Sequence, residues 1–245
     1  MNAAVPRPQS TPLYDGLTPQ DEAALARFDG ALAPHEPDSE LLNGTPARSL
    51  TEALATLVEG LTRIDVDRVR RRQSWWHRFT GADLEARLEL EVAVRSLRDD
   101  MQNLAQAAAA AERASRAMRA DIPRLEAAQA DHENLIDETS AFLVGADGRN
   151  PVTARLERRL GNLQALCASN RLARAQMLLA VDHLGALLDR YRDVEQLLFP
   201  VWQQHALAVA QSAAPLADRP GLFDQFKSAH GRLAEALVPA KEATP

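Results

Sequence analysis

Five arginines and two tryptophans crowd residues 68–79, as Arg68, Arg70, Arg71, Arg72, Trp75, Trp76 and Arg78, followed by Phe79 and with no acid among them. Arginine keeps its charge and stacks on aromatic rings. Together with tryptophan at a helix end it suits contact with an anionic membrane surface or an acidic partner. At about 1 kcal/mol per basic residue near an anionic bilayer, such a cluster gives weak, reversible attachment. The competing arrangement has Trp76 and Phe79 closing the end of a helical bundle while the arginines stay solvated. Nucleic acid fits poorly as a partner, because a formal net charge of −6 lacks the basic face that phosphate neutralisation requires.

Other chemistry-bearing residues do not converge in the sequence. The six histidines (35, 77, 132, 183, 205 and 230) include no pair spaced to put two imidazoles on one helical face for a metal. His132 and His205 fall on or beside apolar stripes, where a histidine is more often structural than a ligand. Cys167, the single cysteine, excludes an intramolecular disulfide and is compatible with a reducing cytoplasm. It lies in an apolar stripe and reads as a small buried hydrophobe; a reactive thiol there would matter only for thiophilic oxyanions. Glu85, Glu89 and Glu91 interleave with Arg87 and Arg95 as a solvated, ion-paired face. Gly145 and Gly148 lack the lysine and hydroxyl residue of a phosphate-binding loop, and no hydrolase, zinc-protease or dinucleotide motif is present. The sequence therefore predicts no catalytic residue, no metal, no cofactor and no small-molecule substrate.

The elements that would position these residues are helical. Among 245 residues there are 11 glycines and only 4% aromatics, against abundant Ala, Leu, Glu, Arg and Gln, which favours an all-α chain. No apolar run approaches the length of a membrane-spanning helix, and the N-terminus carries no stretch suited to a secretory signal. Residues 1–48 form a proline-rich acidic leader, expected to be mostly disordered, with one short helix starting at Thr18 as N-cap and Pro19 at N1 and ending near Gly30. Its Ala24, Leu25, Phe28 and Leu32 can dock on the body or on a partner.

From residue 49 to 212 the pattern predicts an elongated antiparallel helical hairpin, a coiled-coil bundle. Ser49 and Glu52 read as a capping box opening a helix with Leu50, Leu54, Leu57, Val58, Leu61 and Ile64 on one face, running toward the arginines near residue 72. Leu90, Val94, Leu97, Met101, Leu104, Ala108, Ala111, Ser115, Met118, Ile122 and Leu125 then alternate steps of four and three, a heptad stripe. Pro123 predicts a kink or a fresh helix start. Gly145 to Pro151 reads as the reversal, with Asn150 as N-cap and proline at N1. The return stripe is Leu156, Leu160, Leu163, Cys167, Asn170, Met177, Val181, Leu184, Leu188, Tyr191, Leu198 and Trp202, with Arg174 inside it. Leu97, Met101, Leu104, Met118, Leu184 and Leu188 are the expected coiled-coil core, and Asn170 a register-setting polar residue. Pro200 marks a second kink, and residues 213–245 hold a break, an amphipathic helix with Leu222, Phe223, Phe226, Leu233 and Leu237, and a tail.

The stretch Asp193-Val-Glu-Gln-Leu-Leu-Phe199-Pro200-Val-Trp-Gln-Gln204, closing a long helical hairpin, resembles the toxic-anion (tellurite) resistance proteins, in which a Leu-Phe-Pro-Val-Arg-Gln-type stretch ends a comparable helix. Trp76-His-Arg-Phe-Thr-Gly81, with Asp83-Leu-Glu-Ala-Arg87 after it, is similar to the entry into that family's helical core. The resemblance covers residues 76–210. Trp202 stands where the family usually has arginine, and the family's downstream Asn/Arg-rich and Thr-rich segments are absent. The resemblance implies a role in tellurite resistance, colicin and phage tolerance and the cell envelope, and carries over no catalytic residue.

Taken together, these features predict a non-enzymatic scaffold, cytoplasmic and peripheral at the inner membrane face. It would bind protein partners, itself included, and an anionic membrane surface in toxic-anion or envelope stress resistance. The alternative is a soluble, self-assembling coiled-coil adaptor with no membrane role.

Overall fold

The computed structural model describes residues 13–32, 44–66, 82–212 and 219–237. Among them there is no strand, and the chain is all-α: α1 (Glu22–Ala31), α2 (Thr45–Thr62), α3 (Ala82–Phe142), α4 (Pro151–Asp193), a π-helical turn (Val194–Leu198), α5 (Phe199–Ala210) and α6 (Pro220–Leu237). It divides into two compact units, each drawn from separate stretches of sequence. The first combines Met1–Asn43 with Ala117–Leu179, the second Gly44–Arg116 with Ala180–Pro245.

In the first unit the chain reverses where the turn residues are. Gly145 adopts φ 78°, a left-handed conformation that costs glycine nothing. Asn150 then caps α4, its Oδ1 accepting from the backbone N–H of Val152 at 2.8 Å and of Thr153 at 3.4 Å, with Pro151 as the first helical residue. Pro123 does not start a new helix. It lies exposed within α3, and the stripe continues past it in register through Leu125, His132 and Thr139, all buried. Arg174 is not in the return stripe: it is exposed and donates from Nε to Glu126 over 2.8 Å, while Ala173 takes the buried position. An alanine there buries apolar surface with no charge to desolvate.

Residues 13–32 fold onto this hairpin end. Ala24, Leu25 and Phe28 join Tyr14, Leu135, Val152, Leu156, Leu163 and Cys167 in one buried cluster, with Leu32 packed against it. Tyr14 stacks on Phe142 at 4.2 Å between centroids and shares a 2.8 Å hydrogen bond with the Thr139 hydroxyl. Thr153 donates to the Pro19 carbonyl at 3.0 Å, and Arg155 and Arg159 pair with Glu22 and Asp29. The helix begins later than expected: Thr18 and Pro19 sit in the turn before it. The Asp21 carboxylate accepts from the Thr18 N–H and hydroxyl, and α1 starts at Glu22 and ends at Ala31.

The second unit gathers the rest. α2 starts at Thr45, after Gly44 and with Pro46 in its first turn, so Ser49 and Glu52 are interior residues and do not form a capping box; Glu52 pairs with Arg48 at 2.8 Å. It also stops at Thr62, where the Arg63 and Ile64 N–H groups bond back to the carbonyls of Glu59 and Leu61, and it does not run on toward residue 72. Leu50, Leu54, Leu57 and Leu61 bury its apolar face, and α2 packs on α6. Gly60 lets α2 approach α3 closely: a Cβ built there would lie 2.7 Å from Leu97 Cδ2. Of the predicted core residues, Leu97, Met101, Leu104, Leu184 and Leu188 are buried in this unit and Met118 in the first.

Candidate functional site

The predicted docking residues Arg68, Arg70, Arg71, Arg72, Trp75, Trp76, Arg78 and Phe79 lie outside the described residues. The histidines that are described do not assemble: among the described residues no three of His, Cys, Asp and Glu meet in a metal-binding group.

Cys167 is buried in the first unit beside a polar concavity of about 360 Å³ lined by Glu133, Ile136, Asp137, Gln164 and Arg171. Burial pushes its thiol above the ordinary range, and the Glu133 charge adds to this. Gln129 and Arg171, the latter at 2.6 Å, hydrogen-bond Glu133 and hold it ionised. The thiol form dominates at neutral pH, so the site is poorly suited to thiolate chemistry.

The second unit holds a larger groove, beside an irregular helical turn. Buried positions along the end of α4 follow three-and-four spacing through Leu184, Leu188, Tyr191 and Val194, and then step by five to Phe199 before Trp202, Ala206 and Val209. That step is the π-helical turn, closed by the Phe199 N–H bonding to the Val194 carbonyl. Proline at 200 accounts for it. In an uninterrupted α-helix its ring would collide with the carbonyl four residues back, and a wider turn relieves the clash without a break. Tyr191 ties across the turn by donating to Glu195, and burial together with this bond raises its phenol well above the ordinary value.

The wider turn takes up the extra residue, keeps Phe199 and Trp202 in line with Val194, and leaves an apolar ridge outside. Leu197 is 63% exposed and Val201 47%, on either side of the buried Phe199. With Leu198 and His205 they form one wall of a groove of about 640 Å³, and Asp224, Gln225, Ser228, Ala229 and Arg232 of α6 form the other. Trp202 is fully buried, packs on Phe199 with the rings tilted and their centroids 5.7 Å apart, and donates from Nε1 to His230 Nδ1 over 3.3 Å. Burial lowers the His230 pKa. The groove thus sets an apolar wall against a polar one.

Sequence reasoning placed Leu198 and Trp202 in the buried stripe and passed over Leu197 and Val201. The signal was the five-residue gap between Val194 and Phe199, directly before a proline.

Most of one wall of the groove comes from the same stretch, 193–204, whose residues stand out in the sequence. The chain is similar to Protein KlaA of Escherichia coli. The two are 27% identical over 227 residues, covering 89% of this chain and 87% of the relative. A match of that extent takes in both α3 and α4. No protein-family model matches the chain, and no solved structure matches it.

Proposed function

We propose that this protein is a non-enzymatic helical scaffold at the cytoplasmic membrane face that contributes to resistance against toxic anions such as tellurite, or to envelope stress resistance. The observation that carries the reading is the 193–204 stretch. It resembles the toxic-anion resistance proteins in sequence, and it folds as a π-turn that exposes Leu197 and Val201 above the α6 groove. The similarity to Protein KlaA over most of the chain supports a common scaffold. In this reading the groove takes a protein partner and the arginine and tryptophan cluster at 68–79 takes the anionic membrane.

The test combines two measurements on the full chain. Flotation with anionic and neutral liposomes should show salt-sensitive binding to anionic vesicles alone, lost in Arg68→Glu with Arg71→Glu while helix content is unchanged. Expression in tellurite-sensitive bacteria should raise tolerance, and the same pair of substitutions should abolish the gain. Absence of flotation at any salt would overturn the membrane role, and unchanged tolerance would overturn the toxic-anion role.

The exposed ridge equally favours a soluble adaptor that assembles through its helices without a membrane. Partner capture through the groove together with no flotation is its signature.

A further inference from the structure

We propose that the α6 groove is a self-association surface, occupied by α6 of a second copy that runs antiparallel to the first about a two-fold axis at Ser228. The assignment rests on reading the groove as a docking surface and commits it to one occupant.

Charge carries the argument. Apart from Lys227 beside the axis, the exposed charges on either side of Ser228 read Arg219 and Asp224 toward the N-terminus, Arg232 and Glu235 toward the C-terminus. The signs invert through the serine. An antiparallel copy therefore sets Asp224 opposite the second copy's Arg232, both four residues or about 6 Å from the axis, and does so twice by symmetry. A parallel copy in register would oppose Asp224 to Asp224 and Arg232 to Arg232. Among the described residues, neither Asp224 nor Arg232 forms an ion pair that would compete.

Shape agrees with charge. Ser228 at the axis is small and exposed, and Gly221 and Gly231 share its face at helical spacing, so two copies of α6 can approach closely. Leu197 and Val201 stand beside the seam and supply the apolar area that charge pairs alone lack. The 18 residues of α6 span about 27 Å, a short contact for a dimer. The dimer is accordingly expected to dissociate on dilution.

Sedimentation velocity of the full chain over a wide concentration range tests this. The wild type should pass from monomer to dimer with concentration. Asp224→Arg and Arg232→Asp, each alone, should be monomeric with unchanged circular dichroism, since each places like charges together twice. An equimolar mixture of the two variants should form a heterodimer, because mixing restores opposite charges at both contacts, and the doubly reversed chain should dimerise by itself. A wild type that stays monomeric, a dimer indifferent to the single reversals, or a mixture that stays monomeric would each overturn the proposal. None of these outcomes depends on liposome binding or tellurite tolerance, so this inference and the scaffold reading fail separately.

Discussion

The Trp202 indole donates to His230 Nδ1 over 3.3 Å, joining the fully buried ring of α5 to α6 through an acceptor that exists only while that nitrogen is unprotonated. Burial lowers the His230 pKa below its ordinary 6.5 in the folded chain. The unfolded chain thus binds the proton more readily, and stability is fully present above about pH 6.5 and lost as pH falls toward the lowered value. Thermal melts between pH 8 and 5 should show this loss, with His230→Gln, which keeps an acceptor and cannot titrate, giving a flatter profile.

Gly60 faces Leu97 with no room for a side chain. In Gly60→Ala the new Cβ meets Leu97 Cδ2 at 2.7 Å and Asp100 Oδ2 at 3.2 Å. Overpacking of this kind costs about 1–3 kcal/mol, against about 1 kcal/mol gained from helix propensity, so net destabilisation is expected in urea unfolding. Combining it with Leu97→Ala should relieve part of the clash, and the double-mutant cycle should be non-additive.

Removing Phe28 should release the N-terminal segment. Its ring is fully buried in the cluster that also holds Cys167. Phe28→Ala is expected to cost about 3–5 kcal/mol and to speed modification of Cys167 by a thiol reagent. In the wild type the reaction should be slow, since the thiol is both covered and held protonated.

Asn150→Ala should cost about 1 kcal/mol by leaving the Val152 and Thr153 N–H groups uncapped, while Asn150→Asp should retain most of the stability. Chemical denaturation distinguishes the two variants.

The long-range pattern was legible because heptad spacing reports burial directly: every position from Leu90 to Leu125 in the expected stripe is buried except Ile122, which is half-buried. The cap at Asn150 was legible for the same reason, since its cause is local. Element ends were less so. Ser49 and Glu52 satisfy a capping-box pattern, but Thr45 and Pro46 upstream already provide a helix start, and nothing in the spacing says which one wins. Pro123 and Pro200 carry the same local penalty, yet one is absorbed within α3 and the other answered by a π-turn. The groove escaped notice because it depends on which side of that turn each leucine falls, a matter of one residue. The docking of Ala24, Leu25 and Phe28 was foreseen as one of two destinations, and Tyr14, Thr153 and Arg155 supplied the contacts that decide it.

The π-turn between Val194 and Leu198 has a consequence for how this chain can change over time. Losing one exposed residue there would bring Phe199 to four and Trp202 to seven positions after Val194, so an uninterrupted α-helix would keep both on the buried face. The same deletion in the middle of α4 would swing every following side chain by about a quarter of a revolution. The turn is thus the place in this long helix where the chain can shorten by one residue with its interior kept in phase.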